Sequence, residues 1–406
     1  MELYYRQPIL TECTAKVLSC AERDGRYAIE LDRSIIFPEG GGQLSDSGQI
    51  DDAIIFEAKT EKGHVLHFCS KPFDEGSDVT LRLNTAARFD HTAQHTGEHI
   101  ISGLTSKLFN AHNVGFHMAR EYCTVDFDIF LDQNQLTELQ LAANAAVTSN
   151  LPITTELVSG KEAASRPLRK LADKLSGATE DIRIVYIDNG NIDSCTCCGT
   201  HFQYTGEVGA ILITDSQKYK GGIRCWFACG ERAIRHAISC QSELSALAQR
   251  FSTSREELPS AVQKLRNDLS TCKQEIKSKS DLLTELLSTE LLSGIESSGS
   301  TGYIVKRFDT LSPADLKALS DKLIAKTASP LAALLFCNTP SGTEYRMVCT
   351  DGLKLSMRDL CSAVNAAING KGGGSSSFAQ GKTLKSVSDD DIDMLEHYLS
   401  SVLSAL

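Results

Sequence analysis

The feature that most constrains this chain is a pair of distant segments rich in metal-ligating side chains. Residues 88–104 read RFDHTAQHTGEHIISGL, and residues 195–201 read CTCCGTH. The first segment lacks proline and predicts a helix, on which His91, His95 and His99 recur at every fourth position along one face. The chain has only ten histidines, so three of them on one helix face suggest metal binding.

Two histidines one turn apart on a helix can bind one ion, and a Cys-x-x-x-His segment can supply two further ligands. Mixed nitrogen and sulfur ligation in a tetrahedral site suits zinc. A single helical histidine is more often solvated or part of the core, but the two segments together favour a shared Zn²⁺ site. The residues alone leave two helix registers open, His91 with His95 or His95 with His99.

Composition places the chain among ordinary globular proteins. Its 406 residues, 41% hydrophobic and 23% charged, predict two or three domains. No apolar run approaches membrane-spanning length and the start does not resemble a signal peptide, so we expect a cytoplasmic protein without a membrane partner. Most of the fourteen cysteines are scattered, which predicts reduced core thiols. A net charge of −11 means that a nucleic acid could be bound only by local basic patches.

The first half of the chain predicts two domains. Residues 1–88 contain short alternating segments, which predict a small N-terminal β-barrel with strands at residues 14–22, 27–32, 34–37, 52–60, 64–69 and 78–83. Residues 37–48, FPEGGGQLSDSG, interrupt them with a glycine-rich stretch. This stretch predicts either a hairpin turn or a loop in which the backbone approaches a ligand beside Gln43. Residues 89–236 mix helices and strands, as in an α+β domain.

The second half predicts a helical segment and a third folded domain. In residues 237–296, Pro259 marks the start of one long amphipathic helix that packs on itself or on a second subunit. Residues 297–406 alternate strands and helices, which predicts a C-terminal α/β domain. Its glycine-rich stretch at 369–382 predicts a flexible loop or an anion nest. The fold class is therefore multidomain α+β.

Several of these segments, in this order, resemble the editing half of alanyl-tRNA synthetases and the free-standing AlaX-type editing proteins of the long form. Residues 37–48 are similar to the family's FxxEGGGQxxDxG stretch, and residues 197–201 to its CGGTH turn, with Cys198 in place of the first glycine. Residues 205–209 and 221–224 are similar to its TGEIG and glycine-arginine segments. Residues 369–382 resemble the GGG-x-x-x-x-AQ-G loop of the DHH-associated domain.

The resemblance implies a ligand set. In the family, two aliphatic residues follow the second helix histidine, as they follow His99 and not His95. The implied zinc ligands are His95, His99, Cys197 and His201, with Cys195 and Cys198 as competitors. The implied candidates for catalysis are Gln43, His91 and Glu98. Those for binding substrate or tRNA are Gly41, Gly42, Gln43, Arg224, Lys371, Gly372, Gly373 and Gly374.

The resemblance also implies an activity. We expect a zinc-dependent aminoacyl-tRNA deacylase that hydrolyses Ser-tRNA(Ala), or Gly-tRNA(Ala), in trans, with residues 237–296 as a coiled-coil-like linker and 297–406 as a tRNA-binding domain. A homodimer through the linker or the last domain would fit. No nucleotide-binding loop accompanies these motifs. The alternatives are a non-catalytic, zinc-stabilised tRNA-binding protein and a zinc hydrolase of another acyl ester.

Overall fold

The computed structural model describes residues 3–6, 10–169, 181–298 and 300–405. It divides the chain into two compact units, Met1–Arg250 and Phe251–Leu406. Across the described ranges, no helix combines the length and apolar character needed to cross a membrane.

The first unit opens with a short helix and a closed six-stranded barrel of order β1-β2-β5-β4-β3-β6. The elements are α1 (Leu3–Arg6), β1 (Glu12–Arg23), β2 (Arg26–Leu31), β3 (Gly48–Ile50), β4 (Ala53–Glu61), β5 (His64–Cys69) and β6 (Asp78–Leu83). Fully buried aliphatic side chains such as Ile29, Ile55 and Leu81 fill its interior. The barrel predicted from the alternating segments is confirmed.

One of the predicted barrel strands is wrong. Residues 34–37 form no strand, although all four side chains are buried. Their backbone groups are bonded elsewhere: the Ile35 carbonyl accepts a hydrogen bond from Arg88 at 2.6 Å. The Ser34 hydroxyl lies 2.7 Å from His67 Nε2. A run of four buried residues lacks the alternation of a barrel strand, and here it leads into the glycine-rich loop instead.

The rest of the first unit surrounds one long helix, α2 (Thr85–Phe109), as the histidine spacing predicted. The Asn84 side chain caps it by accepting from the Ala87 N–H, and Asn110 ends it in the left-handed conformation. A four-stranded sheet β12-β13-β8-β7 and a three-stranded sheet β11-β10-β9 accompany it. Their strands are β7 (Asn113–Met118), β8 (Cys123–Phe127), β9 (Ile153–Val158), β10 (Ile182–Ile187), β11 (Asp193–Thr196), β12 (Ile211–Tyr219) and β13 (Gly222–Cys229). The remaining helices are α3 (Gln133–Thr148), α4 (Gly160–Ala164) and α5 (Glu231–Arg250).

The second unit begins with the long helix α6 (Leu258–Ser293), which carries Pro259 in its first turn as predicted. A six-stranded sheet of order β14-β15-β16-β17-β19-β18 follows. Its strands are β14 (Glu296–Ser298), β15 (Thr301–Phe308), β16 (Leu331–Thr339), β17 (Gly342–Cys349), β18 (Lys371–Gly374) and β19 (Phe378–Thr383). Its helices are α7 (Pro313–Lys326), α8 (Met357–Ile368) and α9 (Asp389–Ser404). Among the described strands of this sheet, β15 and β16 are the one pair that runs parallel, so the sheet is mixed, with helices between its strands.

The glycine-rich stretch at 369–382 is not a loop. It forms the antiparallel hairpin of β18 and β19. A Cβ atom on Gly372 or Gly381 would lie 2.5 Å or 2.2 Å from the Tyr345 hydroxyl oxygen. The glycines therefore let the hairpin cross the buried Tyr345 ring closely, which sequence composition could not distinguish from flexibility.

The buried ion pair between Arg88 and Asp46 should be the most sensitive polar contact of the first unit. Asp46 is 0% exposed, and Arg88 Nε lies 2.9 Å from its Oδ2. Asp46→Asn would leave a buried guanidinium without its counter-charge, which typically costs ~3–5 kcal/mol. We expect a loss of that size in urea unfolding followed by the fluorescence of Trp226, the one tryptophan of the chain.

The matched control is Glu12→Gln, which removes an exposed partner of Arg82. Exposed pairs contribute little, so its unfolding midpoint should match that of the parent protein. Equal midpoints for both variants would contradict a structural role for the buried pair.

Candidate metal centre

Four side chains from the two predicted segments meet in the first unit. Ligand atoms of His95, His99, Cys197 and His201 all lie within 4.8 Å of one another. The three histidines are buried, with at most 5% of each residue exposed. Segments about a hundred residues apart in sequence thus form one enclosed group of nitrogen and sulfur donors.

Two local structures place these side chains. Helix α2 presents His95 and His99 one turn apart, and the chain leaves β11 in a tight turn that carries Cys197 and His201. Arg183 holds this turn by donating to the carbonyls of Cys197 and Gly199 at 3.0 Å and 2.8 Å. A Cβ atom on Gly199 would lie 2.1 Å from the His95 ring, so only glycine permits the approach of turn to helix.

The spacing of the donors fits a tetrahedral ion. Cys197 Sγ lies 3.2 Å from His95 Nε2 and 3.3 Å from His201 Nε2. Bonds of ~2.3 Å to sulfur and ~2.0 Å to nitrogen would place such donor atoms about 3.5 Å apart around a tetrahedral zinc ion. The residues present therefore fit Zn²⁺ by donor type, number and separation.

In His95, His99 and His201, the ring nitrogen Nδ1 has a polar partner outside the group of four ligands. Nδ1 of His95 lies 2.8 Å from Gln43 Oε1, and Nδ1 of His99 lies 2.7 Å from Asp193 Oδ2. Nδ1 of His201 lies 3.3 Å from the Thr96 hydroxyl. Such bonds fix ring orientation and tautomer in metal sites, and they leave the three Nε2 atoms to face the ion.

Charge within the cluster also suits a cation. Burial favours the neutral thiol, but the surrounding imidazoles of His95, His99 and His201 outweigh it and hold the pKa of Cys197 well below its ordinary value. Burial lowers the pKa of His201 to about 3. Against the effect of burial, the Cys197 thiolate and Asp193 keep the pKa of His99 well above its ordinary value. A buried thiolate beside imidazoles attracts a metal cation.

The three other candidate ligands suit the cluster less well than Cys197, either by position or by protonation state. His91 is not part of the four-residue group, and its Nδ1 has no hydrogen-bond partner among the described residues. Cys198 is exposed. Cys195 belongs to a second group with His99 and Asp193, but burial raises the pKa of its thiol to about 11. A protonated thiol is a poor ligand, which favours Cys197.

The glycine-rich loop brings Gln43 to the edge of the cluster. Gly40 and Gln43 exchange backbone hydrogen bonds across a tight turn, with positive φ at Gly41 and Gly42. The Gln43 side chain, 1% exposed, donates to the Thr200 hydroxyl at 2.9 Å and accepts from the Thr200 N–H at 3.0 Å. The stretch is therefore a tight turn, and it places Gln43 beside His95 of the cluster.

Glu98 lies beside the cluster without joining it. Its Oε1 accepts hydrogen bonds from Ser102 and, at 2.6 Å, from Asn113. Its Oε2 is 3.9 Å from His99 Nε2. The carboxylate is therefore buried, held in place and near the donor atoms.

The other predicted contact residues belong to other parts of the fold. Arg224 makes two 2.7 Å bonds to Asp126 on the neighbouring strand and lies over the Tyr219 ring. This is the carboxylate-paired arrangement of a strand arginine. Lys371, Gly372, Gly373 and Gly374 form strand β18 of the second unit.

Sequence reasoning missed the residues that support the ligands. Asp193 holds His99 and is itself held by Arg169 at 2.6 Å. Its pKa falls to about 2 because these bonds outweigh its burial. Alternation along residues 193–197 places Asp193, Cys195 and Cys197 on one side of the extended chain, a signal that could have identified Asp193. No local pattern pointed to Thr96.

Comparison with known proteins covers both the site and the whole chain. A family profile described as "Threonyl and Alanyl tRNA synthetase second additional domain" matches residues 182–224, which include the cysteine turn. Alanyl-tRNA editing protein AlaX-L of Pyrococcus horikoshii is 28% identical, over 94% of this chain and 94% of its own. Alanyl-tRNA editing protein Aarsd1 of Danio rerio is 25% identical, over 96% and 95%. The resemblance to alanyl-tRNA editing proteins is confirmed.

The similarity to larger enzymes covers only part of the length of those enzymes. The alanine–tRNA ligase of Methanoregula boonei is 28% identical over 94% of this chain, which corresponds to 41% of the ligase. The C-Ala domain of Aquifex aeolicus alanyl-tRNA synthetase aligns with 27% of this chain and 97% of that domain. Its 20% identity and TM-score of 0.25 are too low to support a shared fold. Of the three relatives compared by sequence, the two editing proteins are matched over nearly their full length and the ligase over 41% of its own.

The ligand assignment can be tested by zinc content. Cys197→Ser and His95→Ala should each remove a donor from the cluster, so purified protein should hold well under half the parent's zinc after dialysis against a weak chelator. Cys195→Ser and His91→Ala leave the four donors intact and should retain it. Full zinc occupancy in both ligand variants, measured by mass spectrometry of the metal, would rule out this set.

Proposed function

We propose that the chain is a trans-acting deacylase that hydrolyses Ser-tRNA(Ala), with Gly-tRNA(Ala) as a second substrate, at a zinc-containing site. The observation that carries the proposal is the enclosed His95, His99, Cys197, His201 cluster, connected through Gln43 to the glycine-rich loop. The full-length similarity to alanyl-tRNA editing proteins supports it.

The four donors would hold Zn²⁺. When bound, the ion would supply positive charge beside the amino acid and its ester. Four protein donors fill a tetrahedral sphere, which favours an orienting or structural role over an open catalytic position. The remaining chemistry then falls to side chains of the chain itself.

Two side chains are candidates for accepting a proton from the attacking water. Glu98 is the first, because its Oε2 lies 3.9 Å from His99 Nε2 while its other oxygen is held by two donors. His91 is the second, since burial lowers its pKa and so favours the neutral ring, which has an unbonded Nδ1. A general base needs such a basic atom within reach of the water.

Selectivity for serine would come from a short chain of buried polar groups. Gln43 Nε2 donates to the Thr200 hydroxyl, which lies 2.7 Å from the Thr92 hydroxyl. Thr92 retains bonding capacity at the end of this chain. A serine hydroxyl can join it there, whereas alanine offers only a methyl group and leaves the polar end unpaired, at a typical cost of ~1–3 kcal/mol.

The second unit offers a surface for the tRNA backbone. A concavity of about 430 Å³ there is lined by the cations Lys317, Arg346, Lys371 and Lys382, with Glu344 as the one acidic residue. Lys371 and Lys382 face each other directly across the β18–β19 hairpin. Like charges in this position destabilise a sheet. Glu344 lies directly opposite Lys382 on its other side and can offset one of the two charges, so an anion would offset the other. In a chain of net charge −11, this is the local basic patch that phosphate binding requires.

Deacylation is the deciding measurement for the proposed activity. Ser-tRNA(Ala) should lose its amino acid at least tenfold faster than Ala-tRNA(Ala), by the hydrogen-bond argument for the missing hydroxyl. Zinc content is determined on the same preparation. Ser-tRNA(Ser), which carries the same amino acid on its own tRNA, is the control for tRNA identity. Binding of tRNA(Ala) without loss of serine would instead select a non-catalytic, zinc-stabilised tRNA-binding protein. Equal hydrolysis of esters without tRNA would select a general esterase.

The basic concavity should act on tRNA affinity and not on chemistry. Lys371→Gln/Lys382→Gln should raise KM for aminoacyl-tRNA roughly tenfold with kcat unchanged, because fewer ion pairs with phosphate weaken binding. Lys306→Gln/Lys385→Gln removes the same charge from exposed positions outside the concavity and should change KM far less. A similar KM for both double variants would show that only net charge matters.

A further inference from the structure

Two side chains bind three consecutive carbonyl groups of the cysteine turn. Arg183 donates to the carbonyls of Cys197 and Gly199 at 3.0 Å and 2.8 Å. The Tyr5 hydroxyl donates to the carbonyl of Cys198, which lies between them in the chain. The guanidinium of Arg183 also lies over the Tyr5 ring, 4.7 Å from its centroid, which is a cation–π contact. Helix α1 is therefore connected to the turn that carries two of the four metal donors.

Aromatic packing fixes Tyr5 beside the turn. The neighbouring Tyr4 is 5% exposed. Its ring packs edge to face on Phe37, with the centroids 5.5 Å apart, and the Tyr5 ring contacts the same phenylalanine at 6.5 Å. Pairs of this geometry stabilise a fold beyond the area that they bury. Because Phe37 is itself buried at the start of the glycine-rich stretch, the position of the Tyr5 hydroxyl is set by the folded core.

The carbonyl that Tyr5 binds determines where the next N–H group points. A trans peptide unit is planar, and its C=O and N–H bonds point in opposite directions. The unit concerned joins Cys198 to Gly199. Its oxygen accepts from Tyr5, and its N–H donates to Cys197 Sγ at 3.2 Å. One peptide unit thus connects the Tyr5 hydroxyl, outside the cluster, to the sulfur donor inside it.

The peptide unit that follows has the same arrangement. It joins Gly199 to Thr200, and its oxygen accepts from Arg183. Its N–H donates to Gln43 Oε1 at 3.0 Å. The same Oε1 atom lies 2.8 Å from His95 Nδ1. This second unit therefore connects Arg183 to Gln43, and Gln43 to the ring of a metal donor.

We propose that Tyr5 and Arg183 are positioning residues of the metal centre. By holding carbonyls on the outer side of the turn, they direct one N–H group to the sulfur of Cys197 and another to Gln43. Successive hydrogen bonds polarise one another, so each outer donor also strengthens the inner bond. Hydrogen bonds to a ligand atom tune the metal that the ligand holds. The proposal rests on the metal site and does not depend on the proposed deacylase activity.

Cobalt substitution tests the role of Tyr5 at the sulfur. Co²⁺ can replace zinc in tetrahedral sites, and its thiolate-to-metal charge-transfer band reports the electron density of the sulfur. Tyr5→Phe removes the hydroxyl and keeps the ring under Arg183. The Gly199 N–H bond to Cys197 Sγ should weaken, so the sulfur should be richer in electrons and the band should move to lower energy. Zinc content and the urea unfolding midpoint should match those of the parent protein, which separates positioning from stability.

Tyr27→Phe is the matched control, because it removes a hydroxyl from barrel strand β2, outside the four-donor cluster. Its charge-transfer band should coincide with that of the parent protein. A Tyr5→Phe band that also coincides with the parent band would overturn the role of Tyr5. A parent protein without a thiolate-to-cobalt band would overturn the metal site itself, so the two failures are distinguishable.

Metal release tests the role of Arg183. Arg183→Met leaves two turn carbonyls without their charged donor, so the turn should move more freely and zinc should pass to a chelator about tenfold faster or more. Arg183→Lys should recover part of the difference, because an ammonium group can still donate to one carbonyl. Arg235→Met removes an exposed arginine from α5 and should release zinc at the parent rate. Equal release rates for Arg183→Met and Arg235→Met would overturn the role of Arg183.

Discussion

Much of the first unit depends on burying the sulfur of Cys197 among three imidazoles. A thiolate in a dry interior is costly unless positive charge surrounds it. Here the charge is arranged by groups from three elements: α2 supplies His95 and His99, the turn after β11 supplies Cys197 and His201, and Asp193 holds His99 from behind. Each element is tied to the others through this cluster, and a bound cation would complete the balance.

The barrel takes part in the same arrangement through one loop held at both ends. At its start, Phe37 N–H donates to Asp46 at 2.7 Å, and at its end Asp46 is paired with Arg88 of α2. Between them, Gln43 bonds both His95 and Thr200. The ion pair therefore fixes the position of Gln43 relative to the helix that carries the ligands. The role in selectivity proposed for Gln43 needs this kind of support, because a displacement of about 1 Å would break its hydrogen bonds.

Spacing and composition along the sequence predicted those features that depend on residues close together in the chain. The histidine helix, the barrel and the long helix after Pro259 were all visible in spacing and composition, since these set secondary structure directly. Residues 34–37 and the hairpin at 369–382 were not, because their conformation depends on distant partners, Arg88 and Tyr345. Among the site residues, Gln43 and the four donors were found by motif. Arg169 and Thr92 act through contacts made only after folding, and nothing local marks them. Asp193 is marked locally only by the alternation that places it on the same side of the chain as Cys195 and Cys197.

The metal cluster and the basic concavity each hold a charge that is unfavourable without a ligand. The thiolate at Cys197 is an unfavourable charge in a buried position, and Lys371 and Lys382 are like charges directly opposite each other, of which the neighbouring Glu344 can offset one. Proteins keep such local conflicts where a ligand resolves them. A cation would offset the thiolate and a phosphate would offset the remaining lysine charge, which is what the proposed binding of an aminoacyl-tRNA requires. The proposal therefore favours an aminoacyl-tRNA over a small acyl ester, because an ester without a phosphate backbone would make no use of the basic concavity.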